Sequence, residues 1–129
     1  MRVAIDTNRL TDLFQGDAIL GKWLGWCQEV WVPLPVFAEL KAGFLGGSKL
    51  SQNEAILSTF MGKETVRLLL PTRETAEHYS RLYLQLRTAG TPIPVNDLWI
   101  AALCLENDLT LVTRDQHFQR LPQLLKTEN

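Results

Sequence analysis

A chain of 129 residues and 14.7 kDa is the size of one domain, long enough to bury roughly two-thirds of the surface its unfolded form exposes. With 46% hydrophobic and 21% charged residues, its composition is that of an ordinary globular protein and excludes disorder, a collagenous repeat and a disulfide scaffold. Lys and Arg number 13 against 14 Asp and Glu, a net charge of -1, so no chain-wide basic field attracts nucleic acid or anionic lipid, and any such partner must be recognised locally.

Arg2–Ile5 reads as a short buried strand followed at once by Asp6. That leaves no apolar stretch for a secretory signal, and the chain is expected to start at Met1. Helices are predicted over Arg9–Phe14 and Ala18–Gln28, the second capped by Asp17. Val30–Pro33 is the next strand, followed by helices over Pro35–Leu45 and Gln52–Phe60, the latter capped by Ser51. Thr65–Leu70 is predicted as a strand, because its β-branched start and the stop at Pro71 outweigh the helical leaning of its leucines. Ala76, Tyr79, Leu82, Tyr83 and Leu86 recur at three- and four-residue intervals, an amphipathic helix of about four turns that stops at Gly90. Pro92 and Pro94 impose an extended link, and Asn96 is the expected cap of a helix over Asp97–Leu105. Beyond Asp97 that helix is so continuously apolar that it must be buried nearly all round. Thr110–Thr113 is the last well-marked strand.

The apolar run Leu98–Leu105 falls far short of the roughly 20 residues that span a bilayer, so no membrane association is expected. Cys27 and Cys104 lack the CxxC spacing of a redox or zinc motif; buried free thiols in a reducing, cytoplasmic compartment are the expectation. No repeat, low-complexity stretch or linker divides residues 1–129, which read as a single domain. Strands alternating with helices imply an α/β/α sandwich around a central parallel sheet. In such sheets ligands bind beyond the carboxyl ends of the strands.

Four acids fall at such ends. Asp6 directly follows the first strand, and Asp115 lies three residues past Val112. Asp97 is in the first turn of the buried helix, and Glu39 is one turn into the helix that opens with Pro35. Each has an ordinary explanation. An Asp after a strand makes a turn, an Asp in a first helical turn complements the dipole for ~0.3–1 kcal/mol, and a lone Glu on a helix is solvated. Together they are harder to dismiss, because carboxylates about 4 Å apart at an effective dielectric near 20 repel by roughly 4 kcal/mol per pair. A cation or protonation must make the cluster tolerable. An oxygen-only set selects a hard divalent ion, Mg²⁺ or Mn²⁺, over zinc or copper. His78 and His117 lack partners at ligand spacing and are not expected to bind metal. Gly43, Gly46 and Gly47 form no phosphate loop, and no nucleophile-elbow serine is present. Carboxylate-held Mg²⁺ can activate a water and stabilise the leaving oxygen in phosphodiester cleavage, which makes nuclease the leading chemical class.

At these positions the sequence resembles the PIN-domain ribonucleases, and specifically the VapC-type toxins of bacterial toxin–antitoxin pairs. The likeness lies in four blocks, Ile5-Asp6-Thr7-Asn8, Val36-Phe37-Ala38-Glu39-Leu40, Asn96-Asp97-Leu98-Trp99-Ile100-Ala101-Ala102 and Leu111-Val112-Thr113-Arg114-Asp115-Gln116-His117-Phe118. They occur in the family's order and span nearly the whole chain. The third and fourth are the most specific. The resemblance implies a PIN-like sandwich, Mg²⁺- or Mn²⁺-dependent endoribonuclease activity on RNA, a homodimer and a cognate VapB-like antitoxin that occludes the site. It also implies that Asp6, Glu39, Asp97 and Asp115 bind the metal, with Asn8 and Thr113 orienting them or a bound water. One departure is the C-terminus, where Leu124-Leu125-Lys126-Thr127 is a weaker strand than the family commonly shows.

Arg9, Lys41 and Arg114 lie near these blocks and are candidates for RNA phosphate contacts; solvating helix surfaces or pairing with neighbouring acids is at least as strong an expectation for each. Trp99 is expected in the core, while Trp23 and Trp26 either pack internally or belong to a partner-binding face. Two other functions compete. One is a PIN-like module that binds RNA or protein without cutting. The other is an aspartyl phosphotransfer enzyme with Asp6 as nucleophile, against which Asn8 stands where a dehalogenase-like pattern places a second acid.

Overall fold

The computed structural model describes residues 1–128. The strands are β1 (Arg2–Ile5), β2 (Glu29–Pro33), β3 (Val66–Leu69), β4 (Thr110–Val112) and β5 (Lys126–Thr127). The helices are α1 (Thr7–Phe14), α2 (Ala18–Gly25), α3 (Leu34–Gly46), α4 (Leu50–Met61), α5 (Arg73–Ala89) and α6 (Val95–Asn107). The sheet runs β3-β2-β1-β4-β5 with every neighbouring pair parallel. The weak C-terminal segment does form a strand, and Lys126 and Thr127 pair with Leu111 and Val112.

Val3, Ala4 and Ile5 of β1 are all fully buried. A strand with no exposed face needs helices on both sides. The order of connections supplies them. The crossovers from β1 to β2 and from β2 to β3 run one way across the sheet, and the crossover from β3 to β4 returns over β2 and β1. Because such connections are right-handed, α1 to α4 cover one face and α5 and α6 the other, giving the expected α/β/α sandwich. The reversal falls between β1 and β4, so the crevice at their carboxyl ends is the topological switch point. Asp6 N–H donates to Val112 O at 3.0 Å, which carries the β1–β4 ladder to the brink of that crevice.

Local signals were right about identity more often than about boundaries. The Asp17 side chain accepts from Leu20 N–H as the cap of α2, and Gly90 ends α5 at φ 72, a left-handed conformation that an L side chain disfavours. Ser51 does not cap α4, which starts two residues earlier, at Leu50 after Lys49. Asn96 does not cap α6 either. Pro94 holds that position, since its fixed φ suits a helix entrance, and Asn96 is freed for another role. The helix over Ala18–Gln28 stops at Gly25, with Cys27 beyond it; both cysteines are free and buried. Trp99 is only half-buried and packs on Tyr79 with ring centroids 4.5 Å apart. Trp23 packs partly against the core, whereas Trp26 is exposed. Among the described residues, no helix is long and apolar enough to cross a membrane.

Candidate active site

The switch-point crevice opens into a cavity of about 480 Å³ lined by Asp6, Glu39, Asp97 and Asp115, together with Thr7, Asn8, Asn96 and His117. The fold has brought the four acids together from the end of β1, from α3, from the first turn of α6 and from the segment after β4. Asp6 and Asp97 are buried, at 4% and 9% exposure.

Hydrogen bonds fix three of the acids in a chain. Thr113 Oγ1 donates to Asp6 Oδ2 at 2.8 Å and accepts from Asp115 N–H at 3.0 Å, so one hydroxyl orients two elements of the site. Thr7 N–H donates to the other oxygen of Asp6 at 2.8 Å. Asp115 Oδ1 accepts from the backbone N–H of His117 at 2.9 Å, opening a 3-10 turn over Gln116–Arg120. The imidazole Nδ1 of His117 then lies 2.9 Å from Asp97 Oδ2 and 3.2 Å from Asp115 Oδ1. Glu39 is held separately. Its two oxygens accept from Thr7 Oγ1 at 3.0 Å and Asn96 Nδ2 at 2.9 Å.

Among the described residues, no lysine or arginine pairs with any of these four acids; the ion pairs of Arg2, Arg9, Lys41 and Arg114 go to Glu29, Asp12, Asp17 and Glu54. The electrostatic consequence is plain at Asp6. Its carboxyl is raised from 3.8 to about 6, chiefly by burial, with the charges of Asp97 and Asp115 adding to the rise and the bonds from Thr113 and Thr7 opposing it. Burial likewise raises Asp97, against the bond from His117 and with the charges of Asp115 and Glu39 adding to the rise. A site that disfavours its own charged form is one that a divalent cation would stabilise. The donor set fits such an ion, being dominated by carboxylate oxygens, with Asp97, Asp115 and His117 each offering an atom within 4.8 Å of the others.

Against this geometry, the comparison with known families is direct. Residues 3–124 match the family described as PIN domain. The chain belongs to the PIN domain family. Over 89 residues it is 34% identical to Ribonuclease VapC1 of Haemophilus influenzae (strain R2866), the alignment covering 68% of this chain and 65% of that relative. Over 84 residues it is 30% identical to Ribonuclease VapC5 of Mycobacterium tuberculosis, covering 65% of this chain and 62% of that one. The chain therefore matches somewhat under two-thirds of these relatives' lengths. Among solved structures, VapBC-1 from nontypeable Haemophilus influenzae superposes with a TM-score of 0.87 at 26% identity over 98% of this chain and 97% of that chain. VapBC2 from Rickettsia felis, bound to a promoter DNA fragment, gives 0.89 at 24% identity over 98% of both chains.

Within this PIN domain the four acids expected from the sequence share one cavity, whereas their expected neighbours are placed differently. Asn8 lines the cavity but makes no side-chain hydrogen bond to the described residues, and Thr7 is the residue that holds Glu39. None of the candidate phosphate contacts lines the acid cavity. Arg9 is drawn in between Asp12 and Asp17, at 2.8 and 3.4 Å. Arg114 grips both oxygens of Asp12, at 2.9 and 3.3 Å, and that grip holds the Asp12 carboxyl below its usual range. Lys41 pairs with Glu54 at 2.8 Å. Thr7, Asn96 and His117 are the site residues the sequence reading missed. Two of them are immediate neighbours of site acids, Thr7 of Asp6 and Asn96 of Asp97, the one local signal that could have found them.

Proposed function

We propose that this PIN domain is a divalent-cation-dependent endoribonuclease acting as the toxin of a toxin–antitoxin pair. The observation that carries the reading is the cluster of Asp6, Glu39, Asp97 and Asp115 at the switch point, two of them buried, with no lysine or arginine partner among the described residues. Asp6, Glu39, Asp97 and Asp115 would hold the ion. A bound Mg²⁺ or Mn²⁺ would supply Lewis-acid activation of a water and charge stabilisation at the phosphodiester. Thr113 keeps Asp6 and Asp115 in register with each other. Glu39, held on both oxygens by Thr7 and Asn96, is kept at the wall of the same cavity. The relatives named as ribonucleases support RNA as the substrate.

The partner of this reading is a VapB-like antitoxin, supported by neighbours whose solved structures are VapBC assemblies. A second hollow of about 510 Å³ lies away from the acids, between α1, α2 and α4, lined by Leu13, Phe14, Leu24, Ile56 and Phe60 among others. The homodimer and the cytoplasmic location belong to the same reading and are carried by the family resemblance.

Incubating the purified protein with structured RNA in Mg²⁺ or Mn²⁺, beside a sample in EDTA, tests the function. Cleavage in the presence of either cation and none in EDTA is the expected result. Intact RNA in every sample would overturn the reading in favour of a non-cutting module, and cleavage indifferent to EDTA would overturn the cation dependence.

A further inference from the structure

We infer that His117 is a direct ligand of the cation held by this site, through Nδ1, and that this nitrogen shifts the site's preference from Mg²⁺ toward Mn²⁺. The inference rests on the reading of the cavity as a divalent-cation site and adds to it a residue outside the acid set.

The spacing is the first support. Donor atoms on neighbouring corners of an octahedron with bonds of about 2.1 Å lie about 3.0 Å apart. His117 Nδ1 stands 2.9 Å from Asp97 Oδ2 and 3.2 Å from Asp115 Oδ1, so it meets both acids at the separation of adjacent ligands.

The second support is that the ring is placed by construction. Asp115 accepts from His117 N–H and thereby starts the 3-10 turn, and the next residue, Phe118, is fully buried and anchors the turn in the core. The backbone on both sides of His117 is therefore pinned. Its side chain remains 40% exposed and lines the acid cavity, which gives it access to the ion as well as to the acids. His78, by contrast, is on α5 and does not line that cavity.

The consequence is chemical. Carboxylate and water ligands suit Mg²⁺, which keeps oxygen around it, whereas imidazole suits later first-row ions and tolerates Mn²⁺ better than Mg²⁺. A histidine that merely oriented Asp97 from outside would leave this ranking largely as the oxygens set it. A coordinated one changes it.

Pulsed electron paramagnetic resonance on Mn²⁺ bound to the intact protein reads the difference without reference to activity. The wild type is expected to show electron spin echo modulation from one imidazole ¹⁴N. His117→Gln is expected to lose it, and His78→Gln to keep it. In calorimetric titrations the preference for Mn²⁺ over Mg²⁺ is expected to fall by about tenfold in His117→Gln. Bound Mn²⁺ without nitrogen modulation in the wild type overturns the inference and leaves the cation site standing, as does modulation that survives His117→Gln. Absence of saturable Mn²⁺ binding in the wild type overturns both. Should His117→Gln fail to fold, the wild-type spectrum and the His78→Gln control decide the matter alone.

Discussion

Asp6→Asn is expected to lower RNA cleavage by about a hundredfold to a thousandfold in Mg²⁺, with the fold intact, and Asp97→Asn to do the same. The size follows from what is lost. Electrostatic groups preorganised around a reacting phosphate are each worth a few kcal/mol in a water-poor site, which is a factor of about 10² to 10³ in rate. Asparagine removes the charge and keeps the shape. Its amide oxygen can still accept from Thr113 Oγ1, which at 2.8 Å is the bond that ties Asp6 to the segment after β4, while its NH2 group gives up the bond from Thr7 N–H. Single-turnover cleavage of a labelled RNA, with circular dichroism to verify folding, provides the measurement. A folded Asp6→Asn protein cutting at the wild-type rate would remove Asp6 from the machinery.

The same substitution is expected to make the metal-free protein more stable. Asp6 is 4% exposed and its carboxyl is raised from 3.8 to about 6 in the folded state. A group raised in this way contributes its full share of stability below its unfolded value, and that share is lost as pH rises through the folded value. For Asp6 the loss runs from about pH 4 to somewhat above pH 6, and a rise of that size corresponds to about 3 kcal/mol. Asp97 is raised as well and adds in the same direction. In EDTA at pH 8, Asp6→Asn should therefore melt on the order of 5–10 °C above the wild type. The two curves should converge below pH 4, where the wild-type carboxyl is protonated. Adding Mn²⁺ should stabilise the wild type and narrow or reverse the gap. Melting temperatures across pH 3.5 to 8, with and without the ion, read all of this. A mutant less stable than the wild type at pH 8 in EDTA would mean that the buried carboxylate is not under the strain described. On the proposed function, the arrangement trades stability for activity: the acids whose burial costs the fold most are those assigned to the chemistry.

Much of this was legible in the chain because the site sits where local signals are strongest. Asp6 directly follows a short, mostly buried strand, Asp97 lies in the first turn of a largely apolar helix, and Asp115 follows a short strand whose β-branched residues mark it. Each acid is thus tied to an element that periodicity alone identifies, and the parallel order of the strands carries Asp6 and Asp115 to one edge. What could not be read were choices between equivalent partners in space. Asn96 has the chemistry of a cap, but Pro94 enters the helix two residues earlier and Asn96 reaches 57 positions back to Glu39 instead. Arg114 is beside a site acid in sequence, yet both oxygens of Asp12 lie within reach of its guanidinium and hold it there. His117 was passed over because its principal partner, Asp97, lies 20 residues earlier on a different element. The near-neutral net charge of -1 likewise averages unlike regions. The four acids concentrate negative charge in one cavity and leave the remainder of the chain basic.

At the centre of the proposed mechanism, the acid cavity uses a cation to make water the nucleophile. The chemistry of the RNA ends tests it most directly. Attack by water with departure of the 3′ oxygen leaves a 5′ phosphate and a 3′ hydroxyl, whereas attack by the neighbouring ribose hydroxyl leaves a 2′,3′-cyclic phosphate and a 5′ hydroxyl. The expected products are 5′ phosphate and 3′ hydroxyl ends in Mg²⁺ or Mn²⁺, made by the wild type and lost in Asp6→Asn. Cyclic phosphate ends that persist in EDTA and in Asp6→Asn would contradict the mechanism.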